Sequence, residues 1–169
     1  MKPENQKIDE ADIKLLSILQ TDASVSLEEL SSRTAMSANT AWRRIRRMEE
    51  AGIIAKRVAL IDPEAVGLGM TVFVAIKTSD HSDEWLENFA RSVSAIPEVV
   101  EFYRMSGDTD YLLKLLVASI ADYDRVYKKL IRSAKLSDVS SSFAMEQLKY
   151  TTSLPLHYAT AARTAAVRR

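Results

Sequence analysis

Four arginines, Arg43, Arg44, Arg46 and Arg47, crowd into five positions of the run AMSANTAWRRIRRMEEAGII, residues 35–54. A guanidinium is a planar fork of donors that grips phosphate or a guanine edge bidentately. Asn39, on the N-terminal side of the cluster, is of the type that reads adenine. Ser37 and Thr40 flank it where a helix start would present free backbone N–H groups, a natural contact for phosphate. The whole chain is neutral, with 23 Lys+Arg against 23 Asp+Glu, yet residues 38–57 hold six Lys+Arg and two Asp+Glu. The charge is therefore segregated. The plainer alternative is a solvated helix face on which Glu49 and Glu50 make local ion pairs at three- and four-residue spacing.

A second cluster, Ser106-Gly107-Asp108-Thr109-Asp110, precedes Tyr111. One reading is turn chemistry: Gly107 supplies a positive φ and the two aspartates stabilise a hairpin. The other is a pair of carboxylates that receives an ammonium group or a cation. Other chemistries find little support. The chain has no cysteine, which excludes disulfides, thiolate metal sites and a cysteine nucleophile. Its two histidines, His81 and His157, fall in an expected loop and near the C-terminus. No His-Glu metal spacing, phosphate-cradling glycine loop or Ser/His/Asp arrangement is present.

The arginines need a helix that faces the right way. Asp9 can cap a first helix carrying Ile13, Leu16 and Leu19, and Ser26-Leu27-Glu28-Glu29 has capping-box form for a second, about 27–34. Ala35-Met36-Ser37 is a tight break. Ser37 then caps a third helix over about 38–51, closed by Gly52. At ~100° per residue, Ala41, Ile45 and Met48 fall on one stripe. Asn39, Arg43, Arg46 and Glu50 lie opposite, with Arg47 nearby and Trp42 and Arg44 on the two flanks. Trp42 can pack on a neighbouring helix or reach a sugar-phosphate backbone. A short helix, a tight break and a basic helix form the helix-turn-helix layout, whose second helix enters the major groove.

Beyond Asp62-Pro63 the rhythm changes. Strands are expected at 70–76, 99–105, 111–117 and 141–150. Helices are expected around Leu86, Phe89, Ala90 and Val93, and after Ser119 with Tyr123, Val126 or Tyr127, and Leu130 inward. The order β-α-β-β-α-β is the ferredoxin-like arrangement. The expected organisation is α+β: a winged-type helix-turn-helix domain at 8–60, a linker at 61–68, a ferredoxin-like domain at 69–156 and a flexible tail at 157–169. No apolar run is long enough to span a bilayer, and the polar start MKPENQKIDEAD lacks the apolar stretch of a signal peptide. A cytoplasmic protein is expected, with no membrane partner.

Taken together, IDEADIKLLSILQTDASVSLEELSSRTAMSANTAWRRIRRMEEAGII, VALIDPEAVGLGMTVFVAI, PEVVEFYRMSGDTDYLLKLLV and SSFAMEQLKYTTSLPL resemble the Lrp/AsnC family of transcription regulators, in order over about residues 8–156. The resemblance implies a regulator of double-stranded DNA that assembles with itself as a dimer, often a tetramer or octamer. Its ferredoxin-like (RAM/ACT-like) domain would bind a small effector, usually an amino acid, and no cofactor. By position, Ser37, Asn39, Thr40, Trp42, Arg43, Arg46 and Arg47 would meet DNA. Gly107, Asp108, Thr109, Asp110 and Tyr111, with Ser140, Ser141 and Ser142, would line the effector region. Two departures stand out. Many relatives carry Pro and Cys within the stretch that here reads SANTAW, with Ala41 at the Cys position. Many also carry Arg-Thr at Ser140-Ser141, so a guanidinium that could hold a ligand carboxylate is missing. Two rivals remain. One is an enzyme on the same architecture, similar to sirohaem decarboxylases, and the other is an effector-binding module without DNA binding.

Overall fold

The computed structural model describes residues 8–159 as two compact units. One runs to Ala59 and takes in the residues from Lys149 on; the other is Leu60–Leu148. Leu154 N–H donates to Gln20 Oε1 at 2.9 Å and Leu154 O accepts from Gln20 Nε2 at 3.3 Å, so this segment joins the helical unit. Of the expected tail, residues 157–159 form a helical turn, and 160–169 lie outside the described residues.

The first unit holds α1 (Glu10–Leu19), α2 (Leu27–Thr34) and α3 (Ala38–Glu50). Asp9, Ser26 and Ser37 each cap a helix by accepting a backbone N–H through the side chain. The reciprocal capping box forms at Asp9 and Asp12, not at Ser26 as expected. Glu29 turns instead to Arg33 on its own helix, at 3.4 Å. After α3, Gly52 takes φ 69°, and Ile53 N–H reaches Met48 O at 2.9 Å. That pattern is a Schellman stop, which requires a residue at ease with positive φ. Leu15, Leu30, Ala41, Ile45 and Met48 form the core, with Leu16, Ile18, Leu19 and Ile53 packed around it. The inward face of α1 thus centres on Leu15 rather than on Ile13. Residues 55–62 carry neither helix nor strand.

In the second unit, β1 (Met70–Lys77), β2 (Val99–Arg104), β3 (Tyr111–Val117) and β4 (Asp138–Phe143) pair antiparallel in the order β2-β3-β1-β4. With α4 (Asp83–Ser94) and α5 (Ile120–Ser133) this is the ferredoxin-like order read from the sequence. Strand residues alternate between faces. Val72, Val74, Ile76, Leu113, Leu115 and Val117 pack with Phe89, Val93, Val126 and Leu130 of the helices. Each fully buried aliphatic or aromatic side chain of this kind stabilises by about 1.5–3 kcal/mol. The last strand starts and ends earlier than the expected 141–150. Ser141 pairs with Val74 and Phe143 with Val72, after which Met145, Leu148 and Tyr150 are exposed and belong to no strand.

Candidate nucleic-acid interface and effector region

The cap of α3 sets its start. Ser37 Oγ accepts from Thr40 N–H at 3.2 Å and shares a hydrogen bond with Thr40 Oγ1 at 2.8 Å. Burial of Ala41, Ile45 and Met48 sets its rotation. Asn39, Thr40, Trp42, Arg43 and Arg46 are left exposed. Arg43 makes no ion pair among the described residues. Arg46 lies 3.7 Å from Glu49 and 3.5 Å from Glu50, both exposed helix pairs. Pairs of that kind hold weakly, and a phosphate can displace them. Trp42 is 49 % exposed, so the packing alternative does not consume it.

The opposite flank of α3 is committed elsewhere. Asp12 on α1 is fully buried. Its Oδ1 accepts from Arg44 Nη1 at 2.9 Å and its Oδ2 accepts from Arg47 Nη2. Arg44 Nη1 also donates to both oxygens of Asp9, at 3.0 and 2.8 Å. The Asp12 backbone N–H, followed by the Arg44 guanidinium, holds the Asp9 carboxyl below the usual aspartate range. The bonds to Asp9 and Asp12 in turn raise the Arg44 pKa.

Arg47 is thus separated from Arg43 and Arg46, with which it was grouped from sequence. Its side chain is 39 % exposed, but one edge is held by Asp12. Asp9, Asp12 and Arg44 are the members the sequence reading missed. A signal for them existed: Asp12 sits three and four residues before Leu15 and Leu16, on the apolar face of α1, where a carboxylate demands a cation.

The effector residues fall into two groups. Gly107, at φ 114°, and Asp108 are exposed at the tip of the β2–β3 hairpin, and Thr109 is half-buried. Asp110 is bound into the fold: its Oδ2 accepts from Thr78 N–H at 2.8 Å, and its O accepts from Met105 N–H at 2.8 Å. Tyr111 is buried against Trp85, Phe89 and Phe102, with ring centroids 5.6–5.7 Å away. On β4, Ser141 faces the helices and hydrogen-bonds Tyr123. Ser140 and Ser142 pair with Ala75 and Phe73 and face the other way. The eight residues therefore do not converge on one pocket within a single subunit. Among the described residues, no group of three or more His, Asp or Glu could hold a metal ion, and no helix is long and apolar enough to cross a membrane.

A basic helix capped and rotated for display, ahead of a ferredoxin-like unit, matches known proteins along nearly the whole chain. A glutamate uptake regulatory protein of Zymomonas mobilis is 56% identical over 151 residues, spanning 89% of this chain and 92% of its own length. Residues 8–55 match the winged helix-turn-helix DNA-binding family, and residues 71–154 match the Lrp/AsnC ligand binding domain. The chain belongs to the Lrp/AsnC family of transcriptional regulators. The DNA-binding transcriptional activator DecR of Escherichia coli is 49% identical over 150 residues, covering 88% of this chain and 99% of its own. Two crystal structures share the Lrp/AsnC fold seen here. An AsnC family regulator from Agrobacterium tumefaciens has TM-score 0.87 and 54% identity, covering 89% of this chain and 99% of its own. A transcriptional regulator of Neisseria meningitidis, in complex with L-Met, has TM-score 0.85 and 36% identity, covering 89% and 98%. The curated relatives are regulators rather than enzymes, which sets aside the tetrapyrrole-enzyme reading.

Proposed function

We propose that this Lrp/AsnC regulator reads DNA with Asn39, Arg43 and Arg46, while Ser37 and Thr40 seat the start of α3 against phosphate. Trp42 borders the groove on one flank. Arg47 stands at the margin of this face, its guanidinium held by Asp12. The observation that carries this reading is Arg43, exposed and without an ion-pair partner on a helix whose buried stripe fixes its outward face. Such a regulator acts in the cytoplasm, where its DNA lies.

The same reading makes the second unit a sensor of a small effector, an amino acid, and needs no cofactor. The L-Met complex of the Neisseria meningitidis relative supports that class. Gly107, Asp108 and Thr109 are the hairpin residues left for a ligand, since Asp110 and Tyr111 are engaged by the fold. Ser140 and Ser142 share the sheet face turned away from the helices. That face also carries Phe73 and Tyr103, 39 % and 49 % exposed. Apolar groups on an open sheet face favour a partner surface, here a second copy of the chain. The protein acts as a homo-oligomer, a dimer or a tetramer or octamer built from it, and the neighbouring copy completes the effector site.

A thermal-shift screen of the full chain against the twenty amino acids tests the sensor. A ligand at a hundred times its Kd adds about 2.7 kcal/mol of apparent stability. One chemical class of amino acid should raise the melting temperature and alter sedimentation. No shift with any of the twenty counts against an amino-acid effector.

A further inference from the structure

The buried carboxylate of Asp12 has no place in the DNA-reading face, yet two of the four clustered arginines end on it. Arg44 and Arg47 stand three residues apart on α3, hence on one side of that helix. Both donate to Asp12, one to each oxygen, across to α1. Asp9 adds a second anchor for Arg44 at 2.8 Å.

Two attachments one turn apart do what the apolar core cannot. Contacts among Leu15, Leu30, Ile45 and Met48 choose the inward stripe of α3, but apolar contact is non-directional and tolerates small slides and rotations. Charge-assisted hydrogen bonds are directional. Base edges are read only within about 2.7–3.2 Å, so a small slip of α3 would loosen readout by Asn39, Arg43 and Arg46 without unfolding the unit. The pairs also remove cationic donors from solvent. Phosphate contacts give affinity without sequence information, and each freed arginine would add such a contact. The Arg47 Nε is buried without a hydrogen-bond partner and its side chain is 39 % exposed, so this arginine is not saturated by Asp12.

We infer that Asp12 is a positioning residue for DNA recognition, acting through Arg44 and Arg47: it registers α3 for base readout and withholds two cations from indiscriminate phosphate binding. The inference rests on α3 being the helix that reads DNA. A residue that merely stabilises the fold would move all DNA affinities in the same direction. Asp12 separates them, raising discrimination while lowering affinity for arbitrary sequence.

The test uses full-length Asp12→Asn and two probes: a 30-bp random-sequence duplex, and a duplex selected from a random pool by the unaltered protein. Binding to the random duplex should tighten several-fold. The slope of log K against log salt should steepen by roughly 0.9 for each arginine released. Preference for the selected duplex should shrink by roughly tenfold, the discrimination of about one base pair. Adding Arg47→Gln to Asp12→Asn should remove part of the added slope. If both affinities instead fall together with the melting temperature, at unchanged slope, the inference is overturned. Should Asp12→Asn fail to fold, Asp9→Asn, whose carboxylate is 43 % exposed, loosens Arg44 alone. A steeper slope then supports the inference and an unchanged one overturns it. Arg43→Ala is the separate arm for the underlying reading: unchanged binding of both duplexes would remove α3 as the reading helix, whatever Asp12 does.

Discussion

Asp110 and Thr78 are joined by a hydrogen bond from the Thr78 backbone N–H to Asp110 Oδ2 at 2.8 Å, while Asp110 N–H donates to Ile76 O at 3.0 Å. One residue of the β2–β3 hairpin therefore holds the end of β1 through both its backbone and its carboxylate. This is why the Gly-Asp-Thr-Asp-Tyr run divides: its last two members are held in the fold, while Gly107 and Asp108 are exposed and Thr109 is half-buried.

Replacing Asp110 by alanine strands a partly buried N–H. Loss of such a partner costs about 1–3 kcal/mol. Urea unfolding of the full chain should show the midpoint of the second unit lowered accordingly. Asp108→Ala, at an exposed position one turn of hairpin away, should change the midpoint by less than about 0.5 kcal/mol.

Ala35 carries the break between α2 and α3 at φ 54°, the one non-glycine residue with positive φ among those described. An L-residue held there is strained by about 1–2 kcal/mol, part of which glycine returns through its greater freedom in the unfolded chain. Ala35→Gly should therefore raise stability by up to about 1 kcal/mol, read as an increased melting temperature, with DNA affinity unchanged.

The Asp9 carboxyl is held below its ordinary range, first by the Asp12 backbone N–H and then by Arg44. Its folded pKa is depressed, so the stabilisation is full above the unfolded value of about 3.9 and is lost as pH falls through the lower folded value. Asp9→Asn keeps a good helix cap but cannot titrate. Its stability curve should lie beneath that of the unaltered protein at pH 6 and converge on it as pH falls through the depressed folded value. Parallel curves over that range would contradict the coupling.

Much of this was legible from sequence because local rules agreed with tertiary ones. Ser37, Gly52 and the Ala41–Ile45–Met48 spacing delimit and orient α3 without help from the rest of the chain, and β3 runs over Tyr111–Val117 where the apolar run predicts a strand. What escaped depended on partners distant in sequence. Arg47 and Arg43 look equivalent on a helical wheel, and only Asp12, on another helix, tells them apart. The run from Met145 to Tyr150 has strand-like composition, but β4 ends at Phe143, where its register against β1 runs out at Val72. Ala35 gave no warning of its left-handed backbone, because the capped helices on either side impose it.

The central claim is that the exposed face of α3 contacts DNA. Arg43→Ala combined with Arg46→Ala in the full chain, measured by fluorescence anisotropy on the duplex selected by the unaltered protein, tests it most directly. Both side chains are at the surface, so the melting temperature should move little. Affinity should fall by about 1–3 kcal/mol for each arginine that meets a base edge, with a shallower salt dependence for each that meets phosphate. Undiminished binding with the original salt dependence, by a variant that folds normally, would show that the DNA contact lies elsewhere on the molecule.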